Sequence, residues 1–137
     1  MQIHFTGGCA CGTIRYECTA APILMFNCHC RDCQRVSGGA FTPVVYVPAH
    51  AFRLTGGSLR YYATQSAAGG CNIRGFCPDC GSRISGGEGP DGIGVTASSL
   101  DDPSWFRAEL DMWVSDAQPW DHLDPKRPMF DQYPPLT

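Results

Sequence analysis

Residues 7–18 read GGCACGTIRYEC, and this stretch decides what kind of fold the chain can have. In its second half Ile14, Tyr16 and Cys18 fall on one side and Arg15 and Glu17 on the other. That is the period of two shown by a strand with one face on a core. In its first half Cys9 and Cys11 are followed directly by Gly12. At this spacing both sulfurs can reach one metal ion, and a glycine closes the turn at positive φ without a Cβ penalty. A strand that leaves a metal knuckle predicts a mainly β fold clamped by an ion.

The other half of the clamp stands at residues 76–82, FCPDCGS, where Cys77 and Cys80 are again followed by a glycine, Gly81. A tetrahedral four-thiolate zinc built from Cys9, Cys11, Cys77 and Cys80 would join segments 66 residues apart, Cys11 to Cys77, and so tie the first strand to a late hairpin. With every position filled by protein, such a site serves stability. Iron is the other metal that four thiolates suit.

Outward from these anchors, glycine doublets at 7–8, 38–39, 56–57, 69–70 and 86–87 punctuate short segments rich in β-branched and aromatic residues. Strands are predicted at 23–27, 40–47, 58–63, 72–76, 93–97 and 107–114. Helix is scarce: the one candidate is DCQRVS at 32–37, ended by Gly38 where a left-handed cap is favourable. From Pro103 onward six prolines interrupt a segment with no apolar period. It reads as a tail over residues 103–137, laid on the sheet by Trp120, Phe130 and Tyr133. Residues 1–137 are therefore expected to form a single zinc-binding domain.

Composition narrows the function. At 137 residues, 43% hydrophobic and 17% charged, the chain suits one ordinary core. No apolar run approaches a membrane span, and MQIHFTGGCACG has no basic or apolar leader. A cytoplasmic protein with no membrane partner is expected, and its nine cysteines, an odd number, are expected to stay reduced as ligands or nucleophiles. The formal charge is −3, and eight of the thirteen acids but three of the ten bases lie in residues 101–137. Ligation of thiolates makes the balance more negative still, so nucleic acid is excluded as a partner for want of a basic footprint.

A second metal stretch is residues 27–39, NCHCRDCQRVSGG, with Cys28, Cys30 and Cys33 inside six positions. Three thiolates leave a tetrahedral ion one position for water or substrate, the property that separates catalytic from structural zinc. These three are the candidate catalytic residues. His29 is a possible fourth ligand, but in an extended 28–30 its side chain points away from both sulfurs, which favours a supporting or packing role. Cys18 and Cys71 read as bystanders. Arg31, Arg35, Arg74 and Arg83 stand near ligand cysteines in sequence and can compensate thiolate charge, while Arg35 or Arg74 could hold a carboxylate of a peptide-like substrate. No P-loop, nucleophile elbow, HExxH or Rossmann pattern occurs.

The ordered series GGCACGTIRYEC, NCHCRDCQRVSGGAF, GFCPDCGSRI and a late PW resembles the family of glutathione-dependent formaldehyde-activating enzymes over nearly the whole chain. The resemblance implies a β-tent fold of antiparallel sheets, a structural zinc on Cys9, Cys11, Cys77 and Cys80, and a second, labile zinc on Cys28, Cys30 and Cys33. It implies formation of S-hydroxymethylglutathione from glutathione and formaldehyde, a carbon–sulfur lyase reaction in reverse, with glutathione or a related small thiol as the partner. At Asp111 the chain departs from the histidine that many such proteins carry. Two other classes fit the cysteines. One is a thiol redox enzyme of the methionine sulfoxide reductase type, with Cys71 as resolving thiol; the other is a non-catalytic zinc module whose second site is closed by His29 or by a partner. An oligomer is possible but not readable.

Overall fold

The computed structural model describes residues 3–89 and 91–135. Three strands, β1 (Phe5–Gly8), β2 (Arg15–Cys18) and β5 (Phe52–Gly56), form a small antiparallel sheet in the order β1-β2-β5. A larger sheet is built from β3 (Leu24–Cys28), β4 (Thr42–Pro48), β6 (Arg60–Gln65), β7 (Cys71–Phe76), β8 (Arg83–Gly86), β9 (Gly92–Thr96), β10 (Leu110–Met112) and β11 (Met129–Phe130). Its order is β11-β10-β3-β4-β9-β8-β7-β6. One α-helix, α1 (Arg31–Ser37), follows β3. The fold is mainly β, as expected.

Ile14, just before β2, and Tyr16 and Cys18 on one face of β2 are each 1% exposed or less. They pack on Val45, Val47, Ile84 and Val95 of the large sheet, each such burial stabilising by about 1.5–3 kcal/mol. The Tyr16 hydroxyl, carried into this core, hydrogen-bonds Ser99 at 2.7 Å.

Two features differ from expectation. The sheets are not wholly antiparallel, because β10 runs parallel to both β3 and β11; the chain leaving β9 passes through short turns at Ala97–Ser99 and Pro103–Trp105 and re-enters alongside β3 in the same direction. The tail is also held differently. Trp120 is 61% and Tyr133 50% exposed, so Trp120 does not pin it. Tyr133 meets Trp113 edge-on at 5.4 Å, β11 adds to the sheet, and polar contacts described below supply the remainder.

Candidate metal centres

The four-cysteine cluster sits where the two sheets meet. Cys9 and Cys11 occupy the turn out of β1, closed by the Gly12 amide on the Cys9 carbonyl at 3.2 Å, with Gly12 at φ 84°. Cys77 and Cys80 occupy the turn between β7 and β8, where the Gly81 amide bonds the Cys77 carbonyl at 2.9 Å and Gly81 has φ 80°. The four Sγ atoms lie within 4.8 Å of one another, Cys9 to Cys11 at 3.6 Å and Cys11 to Cys77 at 3.7 Å. A tetrahedral ion with Zn–S bonds of about 2.3 Å requires sulfurs about 3.8 Å apart. Thiolate character is prepared by the backbone: the Ile14 amide donates to Cys9 Sγ at 3.1 Å, and the Ser82 hydroxyl and amide draw the Cys80 thiol down to about 5.

The three-cysteine cluster is built from a strand end and a helix start. Cys28 closes β3, in register with Thr42 on one side and Met112 on the other. Cys30 is the N-cap of α1: its backbone is extended, and its sulfur accepts from the Cys33 amide at 3.3 Å. The first helical turn therefore brings Cys33 beside Cys30. Gly38, at φ 73°, ends the helix as the sequence predicts. The three Sγ atoms also lie within 4.8 Å of one another. Either cluster could hold a metal ion, and soft thiolate donors at these separations suit zinc.

Electrostatics inside the triad is uneven. Hydrogen bonds from Cys28 and Cys30, then the charges of Arg83 and Arg74, pull the Cys33 thiol well below its ordinary range. Arg83 Nη1 stands 3.9 Å from Cys33 Sγ and 3.3 Å from Thr42 Oγ1. Of the four arginines singled out in the sequence, Arg83 touches a triad sulfur and Arg74 acts on it through its charge. Arg31 and Arg35 are exposed on α1.

His29 is buried, 1% exposed, and stands outside both metal clusters. Its Nδ1 lies 2.6 Å from Asp121 Oδ2 and its Nε2 2.8 Å from Asp111 Oδ1. Asp111 Oδ2 in turn accepts from Arg127 Nε at 2.9 Å. Burial works against ionisation of Asp111, but the hydrogen bonds from Arg127 and His29 outweigh it and hold the carboxyl below its usual range. The Gln34 side-chain amide bonds the His29 carbonyl at 2.7 Å and the Asp116 carbonyl at 2.9 Å. These contacts fix the 28–33 loop on its outer side.

Sequence reasoning missed Asp121, Arg127 and Gln34 as parts of the site. Asp121 lies 92 residues from His29, and no local pattern signals such a pairing. Trp113 was missed as well. It follows Met112 at φ 59°, buried against the triad, and is the only non-glycine at positive φ among the described residues. Cys18 is buried in the main core, and Cys71 is exposed at the start of β7, outside both clusters.

Comparison with known proteins bears on the fold and on the family. A solved structure of a Rhodobacter sphaeroides protein, a structural-genomics target, is similar over 91% of this chain and 98% of its own, with TM-score 0.58 and 16% identity. That likeness bears on the fold alone. The family model described as glutathione-dependent formaldehyde-activating enzyme matches residues 4–116, a span that holds both cysteine clusters, and on that match the chain belongs to the glutathione-dependent formaldehyde-activating enzyme family.

Proposed function

We propose that the chain is a zinc-dependent carbon–sulfur lyase that joins glutathione, or a closely related thiol, to formaldehyde as the S-hydroxymethyl adduct, and releases it in reverse. In the forward sense a sulfur–carbon bond forms, the carbonyl π bond opens, and the thiol proton ends on the new hydroxyl oxygen. The observation that carries the reading is the contrast between two cysteine clusters in one chain, one with four sulfurs and one with three. His29, the nearest imidazole, is engaged by Asp111 and Asp121, so it does not supply a fourth donor.

Cys28, Cys30 and Cys33 are the proposed ligands of the reactive ion, and Cys9, Cys11, Cys77 and Cys80 those of the structural one. A zinc at the triad would supply a Lewis acid with one position for the thiol sulfur or the aldehyde oxygen. The chain's own contribution is positioning. Cys30 as helix cap and Gln34 on the His29 carbonyl hold the loop rigid, while Arg83 and Arg74 offset the thiolate charge. We further read the whole chain as one domain acting in the cytoplasm.

The test is adduct formation from glutathione and carbon-13 formaldehyde, followed by NMR against a protein-free control. Protein with both sites filled should accelerate it, and Cys30→Ser should lose the acceleration while keeping the four-cysteine metal. Absence of acceleration with both sites demonstrably filled would overturn the reading.

A further inference from the structure

Two guanidiniums whose charges act on the Cys33 thiol, one buried and one partly buried, lack acidic partners. Arg74 is 5% exposed; its Nη1 donates to Thr64 Oγ1 at 2.7 Å, but its Nε has no hydrogen-bond partner. Arg83 is partly buried and meets only Thr42, Cys33 and the Ser85 carbonyl. Among the described residues neither has a carboxylate oxygen within 4.0 Å, whereas Arg15, Arg53 and Arg127 do. The two lie together across Gly86, where an added Cβ would strike Arg83 Nη2 and press on Arg74 Cγ. The glycine lets both side chains run over the strand.

Charge sharpens the point. With a divalent ion bound, three thiolates would carry one net negative charge, and two guanidiniums carry two positive ones. Buried cations without full compensation are costly, and an anion beside them relieves that cost.

Arg83 also lines a cavity of about 520 Å³ whose wall includes Cys9 of the four-cysteine cluster on one side and, on the other, Thr42, which pairs with Cys28 of the triad. Hydroxyls of Ser37, Thr42, Ser82 and Ser98 line its walls. Arg15 and Asp101 line it too, but they pair with each other at 2.9 Å. Arg83 is thus the cavity's cation without a carboxylate.

We infer that Arg83, supported by Arg74, is the anchor for a carboxylate of the thiol substrate, and that this cavity accepts the carboxylate-bearing arm of a small peptide thiol. The inference rests on the proposed lyase reading and gives it a specificity: the site selects thiols that carry a carboxylate a few bonds from sulfur. A guanidinium suits this because its planar fork donates two parallel hydrogen bonds to one carboxylate.

The test separates anion recognition from thiol chemistry. Zinc-loaded protein is titrated with S-methylglutathione, which has no thiol, and with its diethyl ester, while the Nε–Hε signals of Arg83 and Arg74 are followed by NMR. The acid should move both signals and saturate at least tenfold tighter than the ester. Arg83→Gln should reduce that preference to under threefold, with Arg74→Gln intermediate and Arg83→Lys restoring only part. Equal affinity for acid and ester in the unmodified protein, a reading that needs no variant, overturns the inference, as does an unchanged preference in Arg83→Gln. If the acid is preferred but no adduct forms from glutathione and formaldehyde, the anchor stands and the lyase reading falls. If adduct forms while neither S-methyl compound binds, the lyase reading stands and the anchor falls.

Discussion

At the scale of single residues, the least expected arrangement is the row of polar side chains Asp121–His29–Asp111–Arg127, linked by contacts of 2.6, 2.8 and 2.9 Å. It places no ligand in the triad, yet it fixes the residue between two of the three sulfurs. Groups that orient ligands from behind typically change metal affinity by about 10–100-fold when removed. Asp121→Asn should therefore weaken the three-cysteine site by about that factor in competition with a chelator, and leave the four-cysteine site unchanged. Equal weakening of both sites would mean general destabilisation instead. The two bystander cysteines allow a second residue-level prediction. Burial, then the Glu17 charge, pushes the Cys18 thiol up to about 12, so at pH 8 it stays protonated as well as inaccessible. Cys71, by contrast, is open to solvent. Iodoacetamide on metal-loaded protein should modify Cys71 and spare Cys18, a pattern read by peptide mass mapping.

At the scale of elements, two glycines are needed for different reasons. Gly81 holds φ 80° in the second knuckle, and an added Cβ there would meet nothing within 4 Å. Gly81→Ala should thus cost only the left-handed backbone penalty, about 1–2 kcal/mol, and Gly81→Asn less. Gly7 has ordinary dihedrals, but a Cβ would run into the Tyr16 ring and the Ser99 carbonyl. Gly7→Ala should push β1 away from β2 and cost on the order of 1–3 kcal/mol as overpacking. Chemical denaturation of the metal-loaded variants measures both. The same contrast explains what the sequence discloses. β2 was legible because one face is buried and the other is not. β8 was not, because Ile84, Ser85 and Gly86 are all buried, which leaves no period to detect. β1 was hidden because half of it is glycine, chosen for the close approach of Tyr16. Strand β5 alternates Phe52 and Leu54 inward against Arg53 and Thr55 outward, a period of two that lies outside the predicted strands.

At the scale of the whole molecule, the two cysteine clusters differ in where their sulfurs lie along the chain. Both were legible as local spacings, since a turn or helix start alone brings such sulfurs together. What joins them to remote partners, Arg83 to Cys33 or Asp121 to His29, depends on tertiary folding and left no local trace. The four-cysteine cluster closes a loop of 66 residues between Cys11 and Cys77 and bridges the small sheet to the large one. The triad spans only residues 28–33, already ordered by the β3 register and the α1 cap. Loop closure over the longer span removes about 2 kcal/mol more conformational freedom from the unfolded chain than closure over five residues. Metal at the first site should accordingly hold the fold, and metal at the second should be removable with the fold intact. Stepwise chelation should release one equivalent with no change in circular dichroism, and the second only together with loss of tertiary signal. Cys11→Ser should reproduce the second event and Cys30→Ser the first. Simultaneous unfolding with the first equivalent would show that the triad, and not the four-cysteine clamp, holds the sheets together.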